Sequence, residues 1–271
     1  MPGFKPWNVP NRLKGNAELY VLFVGTAGSG KSSLTASFAE WMRRTMDATV
    51  SCVNLDPGCT YIPFKPDFDI RNLFTVAEIM ESEGLGPNGA MIRAAELMEK
   101  RLEEILEALS SLQAEHILLD TPGQMEMFVF REAAPRIVEA LGSIGRPVVV
   151  YVLDASLARR ATDLIVASTL MVATQLRLGV PTISVLNKAD TLSEVAIKRI
   201  EALISDSRAM EGAIIKEKLG AMTDLALGLW GIHGKVWKAS SFILPVSAKT
   251  GYGMDALYDL CHEAFCVCGE I

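Results

Sequence analysis

The chain has 271 residues, half of them hydrophobic, which is enough material for one large α/β domain or two small ones with an ample core. Its formal net charge of −6 gives the chain no general electrostatic attraction to DNA, RNA or anionic lipid. Any polyanion must therefore be captured by a local site. We expect small phosphate compounds as ligands and no direct nucleic-acid binding.

The first 18 residues hold three prolines and scattered charges instead of the apolar run of a signal peptide, and they predict an irregular arm. The longest apolar stretch, 164–176, would span only about 20 Å as a helix, against about 30 Å for a bilayer core. We expect a buried helix there, with a subunit interface as the second choice. Together these features predict a cytoplasmic protein without a membrane segment.

Five cysteines are an odd number in a chain without a secretory signal, which disfavours a disulfide framework. Three of them, Cys261, Cys266 and Cys268, lie in the C-terminal tail with His262. The Cys-x-Cys spacing is not the usual spacing of a metal-binding pair. A bound metal stays open but ranks below buried or merely reduced thiols.

Short apolar runs rich in branched residues alternate with segments of helical spacing along the chain. Strands are predicted at 19–24, 49–55, 116–120, 147–154, 181–187 and 242–247. Helices are predicted at 32–45, 90–112, 125–141, 161–178, 193–204 and 254–264. This order predicts a doubly wound, mainly parallel α/β sheet of six or more strands with helices on both faces.

We expect residues 19–271 to form a single domain with two inserts, one at 57–114 and a helical one at about 201–241. The first insert contains a capping box, Thr75 to Glu78, that predicts a short helix. Residues 86–88, Gly-Pro-Asn, then predict a turn in which Pro87 sets the first corner and Asn88 adopts the left-handed second corner. Taken locally, this turn needs no functional explanation.

Residues 25–32, GTAGSGKS, match the phosphate-binding pattern GxxxxGK[ST] between a predicted strand and a predicted helix. The glycines let backbone N–H groups turn toward phosphates, and the helix N-terminus favours anions. Lys31 is placed to bridge the β- and γ-phosphates and Ser32 to reach Mg²⁺. The motif predicts a P-loop NTPase fold.

A second motif, DTPGQME at 120–126, directly follows the third predicted strand. Asp120 can hold Mg²⁺ through a water molecule, and the Gly123 N–H can sense the γ-phosphate. Gln124 and Glu126 are both candidates for positioning the attacking water.

Residues 187–190, NKAD, lie at the end of the fifth predicted strand, 181–187, and indicate which base is bound. The Asp190 carboxylate can accept from both N1–H and N2 amino donors of guanine, an arrangement that adenine lacks. Asn187 would tie this loop to the phosphate cradle, and the Lys188 stem can lie along the base. Residues 247–249, SAK, offer a backbone N–H to guanine O6.

All these motifs fall at the carboxyl ends of predicted parallel strands, where open α/β sheets bind ligands. The predicted nucleotide contacts are Gly25, Ala27, Gly28, Ser29, Gly30, Lys31, Ser32, Ser33, Gly123, Asn187, Lys188, Asp190, Ser247, Ala248 and Lys249.

With residues 54–57 (NLDP) and the Gly-Pro-Asn stretch, these motifs resemble the GPN-loop GTPases, a dimeric, SIMIBI-like class of P-loop GTPases. The resemblance runs from about Gly25 to Lys249. It implies a homodimer in which the loop at 86–88 reaches the nucleotide of the other subunit. It also implies that Asp56 polarises the attacking water or supports Mg²⁺, although a turn cap before Pro57 is the alternative.

The predicted site thus has two sets of working residues. The predicted catalytic residues are Lys31, Asp56, Asn88, Gln124 and Glu126. The predicted Mg²⁺ residues are Ser32, Asp56 and Asp120. Arg71 and Arg131 are candidates for an arginine finger, although such residues are more often solvated or salt-bridged.

The function predicted from the sequence is a GTPase that binds GTP or GDP with Mg²⁺ and hydrolyses GTP as a homodimeric switch. One alternative is a GTP-dependent assembly factor with very slow hydrolysis that serves a protein client. For such a client the family analogy implies RNA polymerase assembly. A P-loop ATPase or kinase is a third interpretation, which Asp190 disfavours.

Overall fold

The computed structural model describes residues 17, 19–240 and 243–264. The predicted N-terminal arm at 1–18 lies almost wholly outside these residues, as do Cys266 and Cys268.

A single parallel sheet of seven strands, in the order β3-β2-β4-β1-β5-β6-β7, forms the centre of the fold. The strands are β1 Leu19–Val24, β2 Val50–Asn54, β3 Phe68–Asp69, β4 His116–Asp120, β5 Arg146–Asp154, β6 Thr182–Asn187 and β7 Ile243–Pro245. The predicted fold class is confirmed. The sequence reading missed β3, because a strand of two residues is too short to show any periodicity.

The helices that cover the sheet are α1 Lys31–Thr45, α2 Val76–Glu83, α3 Pro87–Lys100, α4 Leu102–Ser111, α5 Met125–Val129, α6 Ala133–Ile144, α7 Ala161–Leu178, α8 Glu194–Ser205, α9 Ser207–Lys216, α10 Ala221–Ser240 and α11 Met254–Glu263. The core lies in two layers because successive strand residues point to opposite faces. In β1, Val21 and Phe23 join the layer under α1 and α11, whereas Leu22 and Val24 join the layer under the other helices. Both faces of the sheet are therefore buried.

Two long predicted helices are each broken in the structure. The predicted helix 90–112 divides at Arg101, whose φ of −100° and ψ of 20° leave the helical region. The apolar spacing continues across the break from Met98 to Leu102, so periodicity could not reveal it. The predicted helix 125–141 divides into α5 and α6 because Pro135, which has no N–H, fits a helix only in its first turn.

The predicted Gly-Pro-Asn turn is also wrong in its geometry. Pro87 is the first residue of α3 and Gly86 is its N-cap, with φ of −71° and ψ of 167°. Asn88 is thus the second helical residue, not a left-handed corner. The left-handed position is Gly84, with φ of 65°, which ends α2. Proline suits the first helical position because it lacks only an N–H that would have no partner there.

Helix α7 has the bounds predicted for it, and one face, including Leu164 and Met171, is buried as predicted. On its other face Val166 is 60% exposed and Leu176 is 80% exposed. A subunit interface over this face stays a prediction. Among the described residues, no helix combines the length and the apolar character needed to cross a bilayer.

Candidate functional site

The loop between β1 and α1 is a tight cradle made possible by glycine. Gly30 has φ of +88°, and a Cβ there would lie 2.6 Å from the Asn187 Nδ2 atom. A Cβ on Gly25 would collide with the backbone oxygen of Val152 on β5. Only glycine meets both demands, so the loop can lie flat against the carboxyl ends of β5 and β6.

Lys31 closes this cradle from inside. Its side chain is buried, and Nζ donates to the carbonyl oxygens of Gly25 at 2.9 Å and Thr26 at 3.1 Å. Burial lowers the pKa of Lys31, whereas the negative charges of Asp120, Asp56 and Glu126 raise it. The ammonium group therefore belongs to the same electrostatic cluster as the carboxylates predicted to act in catalysis or to hold Mg²⁺.

Asp120, at the end of β4, is the most deeply buried carboxylate of the cluster. Its pKa is raised to about 6, chiefly by burial and also by the neighbouring Asp56, against the lowering effects of a hydrogen bond from Ser32 and the charge of Lys31. One carboxylate oxygen, Oδ1, is buried without a hydrogen-bond partner among the described residues. A buried oxygen without a partner is costly unless a cation or water is bound to it.

Asp56 lies on the loop after β2, and two backbone N–H groups hold its carboxylate. Gly58 donates to Oδ1 at 2.9 Å, and Gly123, from the loop after β4, donates to Oδ2 at 3.2 Å. Burial raises the pKa of Asp56, whereas these two hydrogen bonds and the charge of Lys31 lower it. The Gly123 N–H, predicted to sense a phosphate, is thus bonded to Asp56 in this structure.

The predicted base-reading residues lie together at the ends of β6 and β7. Asn187 donates from Nδ2 to the Ser29 carbonyl oxygen at 3.0 Å, and its Oδ1 accepts from Ala248 N–H at 3.2 Å. The Asp190 carboxylate accepts from the buried Ser247 hydroxyl at 2.7 Å and is otherwise exposed. Asn187 therefore links the phosphate cradle directly to the loop that carries Asp190.

Lys188 has a partner that the sequence reading missed. Its Nζ donates to the Gly28 carbonyl oxygen at 2.7 Å and to Asp154 Oδ2 at 2.7 Å. Burial raises the pKa of Asp154, but the hydrogen bonds from Lys188 and Ser156 outweigh it and hold the pKa below its ordinary value. The available signal was an acidic residue at the carboxyl end of β5, the position that singled out Asp120 on β4.

Three predicted catalytic side chains stay outside these contacts. Gln124, Glu126 and Asn88 are exposed, and within the described part of the chain no hydrogen bond joins their side chains to the cradle.

Gly123 lies beside the cradle, since a Cβ on it would be 3.9 Å from the Ala27 Cβ atom. Lys249 and Ser33 are exposed at the two ends of the site.

The two arginine-finger candidates are placed differently. Arg71 forms a salt bridge with Asp69, with Nη2 2.6 Å from Oδ2, and is committed to the loop after β2. Arg131 is exposed in the break between α5 and α6. Sequence reading missed Asp69 because it lies in the short strand β3.

The cysteine tail contributes one described thiol. Cys261 is buried in the core, and burial strongly raises the pKa of its thiol. The neighbouring His262 has its Nε2 3.2 Å from that of His116. Residues 17, 19–240 and 243–264 contain no group of three or more histidine, cysteine or acidic side chains able to hold a metal. The tail prediction for Cys266 and Cys268 lies outside these residues.

The residues present fit a Mg²⁺-nucleotide. Ser32 and the carboxylates of Asp120 and Asp56 offer hard oxygen donors, which Mg²⁺ prefers, and Asp120 Oδ1 has no hydrogen-bond partner within the described part of the protein. The glycine cradle and the amino end of α1 suit phosphate groups.

Comparisons with known proteins agree on one group. A family model described as "Conserved hypothetical ATP binding protein" matches residues 23–267. A GPN-loop GTPase of Pyrococcus abyssi is 35% identical over 262 residues, which cover 93% of this chain and 100% of that protein. GPN-loop GTPase 3 of Aspergillus fumigatus is 29% identical over 186 residues, which cover 66% of this chain and 62% of that protein.

The solved structures include a similar fold. The crystal structure of a GTPase in apo form from Pyrococcus abyssi matches with a TM-score of 0.81 at 34% identity and covers 93% of this chain and 99% of that one. The family description names ATP, whereas the relatives are named GTPases. Whether the bound base is adenine or guanine depends on the residues at the base-reading end of the site, Asp190 among them.

Proposed function

Because the chain belongs to the GPN-loop GTPase family, we propose that it binds GTP and GDP with Mg²⁺ and hydrolyses GTP as a homodimeric switch. The observation that carries the proposal is the link made by Asn187, which joins the phosphate cradle at Ser29 to the loop of Asp190. Both ends of one nucleotide can therefore be held by a single connected unit.

The hydrogen bonding and exposure of the Asp190 carboxylate favour guanine over adenine. The Ser247 hydroxyl occupies one carboxylate oxygen from inside the protein, which fixes the group while its other side faces solvent. A fixed carboxylate needs N–H donors, and guanine offers two on one edge. With adenine the carboxylate would be left without those donors, at a cost of about 1–3 kcal/mol or more.

Hydrolysis requires an oriented water molecule and compensation of the developing negative charge. Lys31, already buried among the carboxylates, supplies positive charge at the phosphates. Asp56 is held by two backbone N–H groups and is suited to accept a hydrogen bond from the attacking water. When bound through Ser32, Asp120 and Asp56, Mg²⁺ would neutralise phosphate charge. Gln124 and Glu126 are further candidates for orienting the water.

The contact between Asp56 and Gly123 supports a switch. It joins the loop after β2 to the loop after β4 through one hydrogen bond of 3.2 Å. A γ-phosphate that accepts from the Gly123 N–H competes directly with Asp56 for this donor. GTP and GDP would therefore favour different arrangements of the two loops.

A trans role of the Gly-Pro-Asn segment is supported by its place on the fold. Gly86, Pro87 and Asn88 are exposed at the amino end of α3, where the first helical bond runs from Ala90 N–H to the Gly86 carbonyl oxygen. The N–H groups of Asn88 and Gly89 thus have no partner within the helix. An exposed helix N-terminus stabilises negative charge, such as that of a partner subunit's nucleotide.

Mixing two inactive variants tests the proposal. Asn88→Ala removes the loop's side chain, whereas Asp56→Ala removes the carboxylate beside the cradle. If the loop acts in trans, a mixed dimer holds one complete site, and random pairing restores about a quarter of wild-type turnover. If the loop acts within its own chain, every site in the mixture carries one defect and mixing restores nothing.

Sizing of the same mixtures with a non-hydrolysable GTP analogue tests the dimer directly. A monomer under these conditions would contradict the homodimer. The role of assembly factor for a protein client stays a prediction. It would be supported if capture of a client followed GTP binding instead of hydrolysis.

A further inference from the structure

We propose that Asp69 and Arg71 are positioning residues that hold the loop of Asp56 in its working geometry, and that Arg71 does not act as an arginine finger. This inference rests on the proposed function, because it assigns these residues to the same hydrolytic site. It is carried by a chain of hydrogen bonds that runs from the edge strand of the sheet to Asp56.

The first link is the register of the short strand β3. It pairs in parallel with β2, with Asn54 opposite Asp69. Two residues suffice to bring an edge carboxylate to the carboxyl end of the sheet, where the site lies. Asn54 is fully buried and Asp69 is 9% exposed.

The second link is the side-chain amide of Asn54, which forms hydrogen bonds through both its nitrogen and its oxygen. Its Nδ2 donates to Asp69 Oδ1 at 2.8 Å, and its Oδ1 accepts from the Asp56 N–H at 3.0 Å. The Asp69 carboxylate accepts and cannot donate, so it forces the amide nitrogen to its side. The amide oxygen is thereby turned toward the backbone of Asp56.

The third link is Arg71, which clamps the far end of the same loop. Its Nε and Nη2 atoms donate to Asp69 Oδ1 and Oδ2 at 3.0 Å and 2.6 Å. Its Nη1 donates to the Cys59 carbonyl oxygen at 3.2 Å. A planar guanidinium can meet a carboxylate with two bonds and still reach a third acceptor, which an ammonium cannot do in the same geometry.

The electrostatics agree with a fixed pair. Burial alone would raise the pKa of Asp69, but the hydrogen bonds from Arg71 and Asn54 outweigh it and lower the pKa. The hydrogen bond to Asp69 raises the pKa of Arg71. Asp69 therefore stays ionised and holds the guanidinium at the loop, away from the role of a free cation.

Loop residues 54–59 are thus fixed at both ends, and between them Gly58 N–H donates to the Asp56 carboxylate. The position of the Asp56 carboxylate matters because a displacement of about 1 Å in a reacting group can slow a reaction about 100-fold. Loosening the clamp should therefore slow hydrolysis while leaving the cradle and the base-reading loop intact.

The test uses Asp69→Asn, Arg71→Lys and Arg71→Ala in the full chain. For each we expect kcat to fall by about 10- to 100-fold, while the Kd of a non-hydrolysable GTP analogue changes by less than about 2-fold. Arg71→Lys keeps the charge but loses the clamp, so it should resemble Arg71→Ala. Arg44→Ala is the matched control: it removes an exposed arginine paired with Glu40 and should leave turnover unchanged.

A double-mutant cycle separates positioning from a stored arginine finger. If Asp69 and Arg71 act as one clamp, the Asp69→Asn/Arg71→Ala double variant is no slower than either single variant. If Asp69 merely stores a finger, Asp69→Asn frees Arg71 and turnover is unchanged or faster, which would overturn the proposal. Should Arg71→Ala fail to fold, Asp69→Asn and Arg71→Lys decide between the two outcomes.

Failure of the clamp and failure of the proposed function give different results. Wild-type chain that turns over GTP, with variants as fast as wild type, refutes the clamp alone. Wild-type chain that binds no GTP refutes the proposed function together with the clamp.

Discussion

Replacing Asp120 by asparagine should stabilise the nucleotide-free protein at neutral pH while it removes Mg²⁺-dependent turnover. The carboxylate is 1% exposed, and one of its oxygens has no partner among the described residues. Burial raises its pKa from 3.8 to about 6. A shift of about 2 units corresponds to about 3 kcal/mol of unfavourable free energy when the group is ionised in the folded protein.

This shift is a net value, because it already includes the attraction of Lys31 and the hydrogen bond from Ser32. We expect Asp120→Asn to raise the free energy of unfolding by about 1–3 kcal/mol at pH 7.5. Urea unfolding in EDTA measures it. Such a stabilisation would be expected if Asp120 is placed to bind the proposed Mg²⁺ at the expense of the stability of the nucleotide-free protein.

The pH dependence gives the sharper test. Below about pH 4, Asp120 is protonated in both the folded and the unfolded chain, and its ionisation costs nothing. As the pH rises to about 6, the unfolded chain releases the proton first, so wild type loses stability relative to the variant. The gap should therefore grow from about pH 4 to about pH 6 and then level off.

A gap that is the same at pH 4.5 and pH 7.5, or a variant that is less stable at pH 7.5, would show that ionised Asp120 does not destabilise the folded protein. Asp259→Asn, at an exposed position on α11, controls for the loss of one negative charge from the chain.

Two further variants address the base-reading loop and the first insert. Asp190→Asn should weaken GTP binding by about 100-fold or more and favour xanthosine triphosphate, because the amide donates to the 2-oxo group of xanthine. Titration with both nucleotides measures the two affinities. An unchanged affinity for GTP would contradict the role of Asp190. Thr75→Ala removes both hydrogen bonds of the Thr75 hydroxyl in the capping box with Glu78 and should cost about 1 kcal/mol of stability in urea unfolding, with kcat at saturating GTP unchanged. A loss of turnover there would mean that α2 takes part in catalysis.

The strand-tip motifs could be placed from sequence because each is a local pattern between a strand and a helix. Asp120 and Asn187 end β4 and β6, and Ser247 follows β7 by two residues; the apolar runs of these strands were long enough to read. Once the strands were placed, a parallel sheet brought their carboxyl ends to the same edge. The predicted meeting of cradle and base-reading loop followed from topology alone.

The parts that escaped sequence reading depend on contacts between distant residues. Asp69 reaches the site through a strand of two residues, which has no local signature. Asp154 could have been noticed at the end of β5, but its ion pair with Lys188 joins residues 34 positions apart. The Gly-Pro-Asn stretch was misread because Pro87 suits the first corner of a turn and the first residue of a helix equally well. Tertiary packing decided for the helix, which places Asn88 at an exposed helix N-terminus.

Recognition of guanine is tested by calorimetric titration of the purified chain, in the presence of Mg²⁺, with non-hydrolysable analogues of GTP and ATP. A carboxylate fixed by Ser247 and a cradle linked to it through Asn187 predict that the GTP analogue binds at least about 100-fold more tightly. Equal affinity for the two analogues would show that Asp190 does not read the base, and would contradict the proposed GTP-binding site.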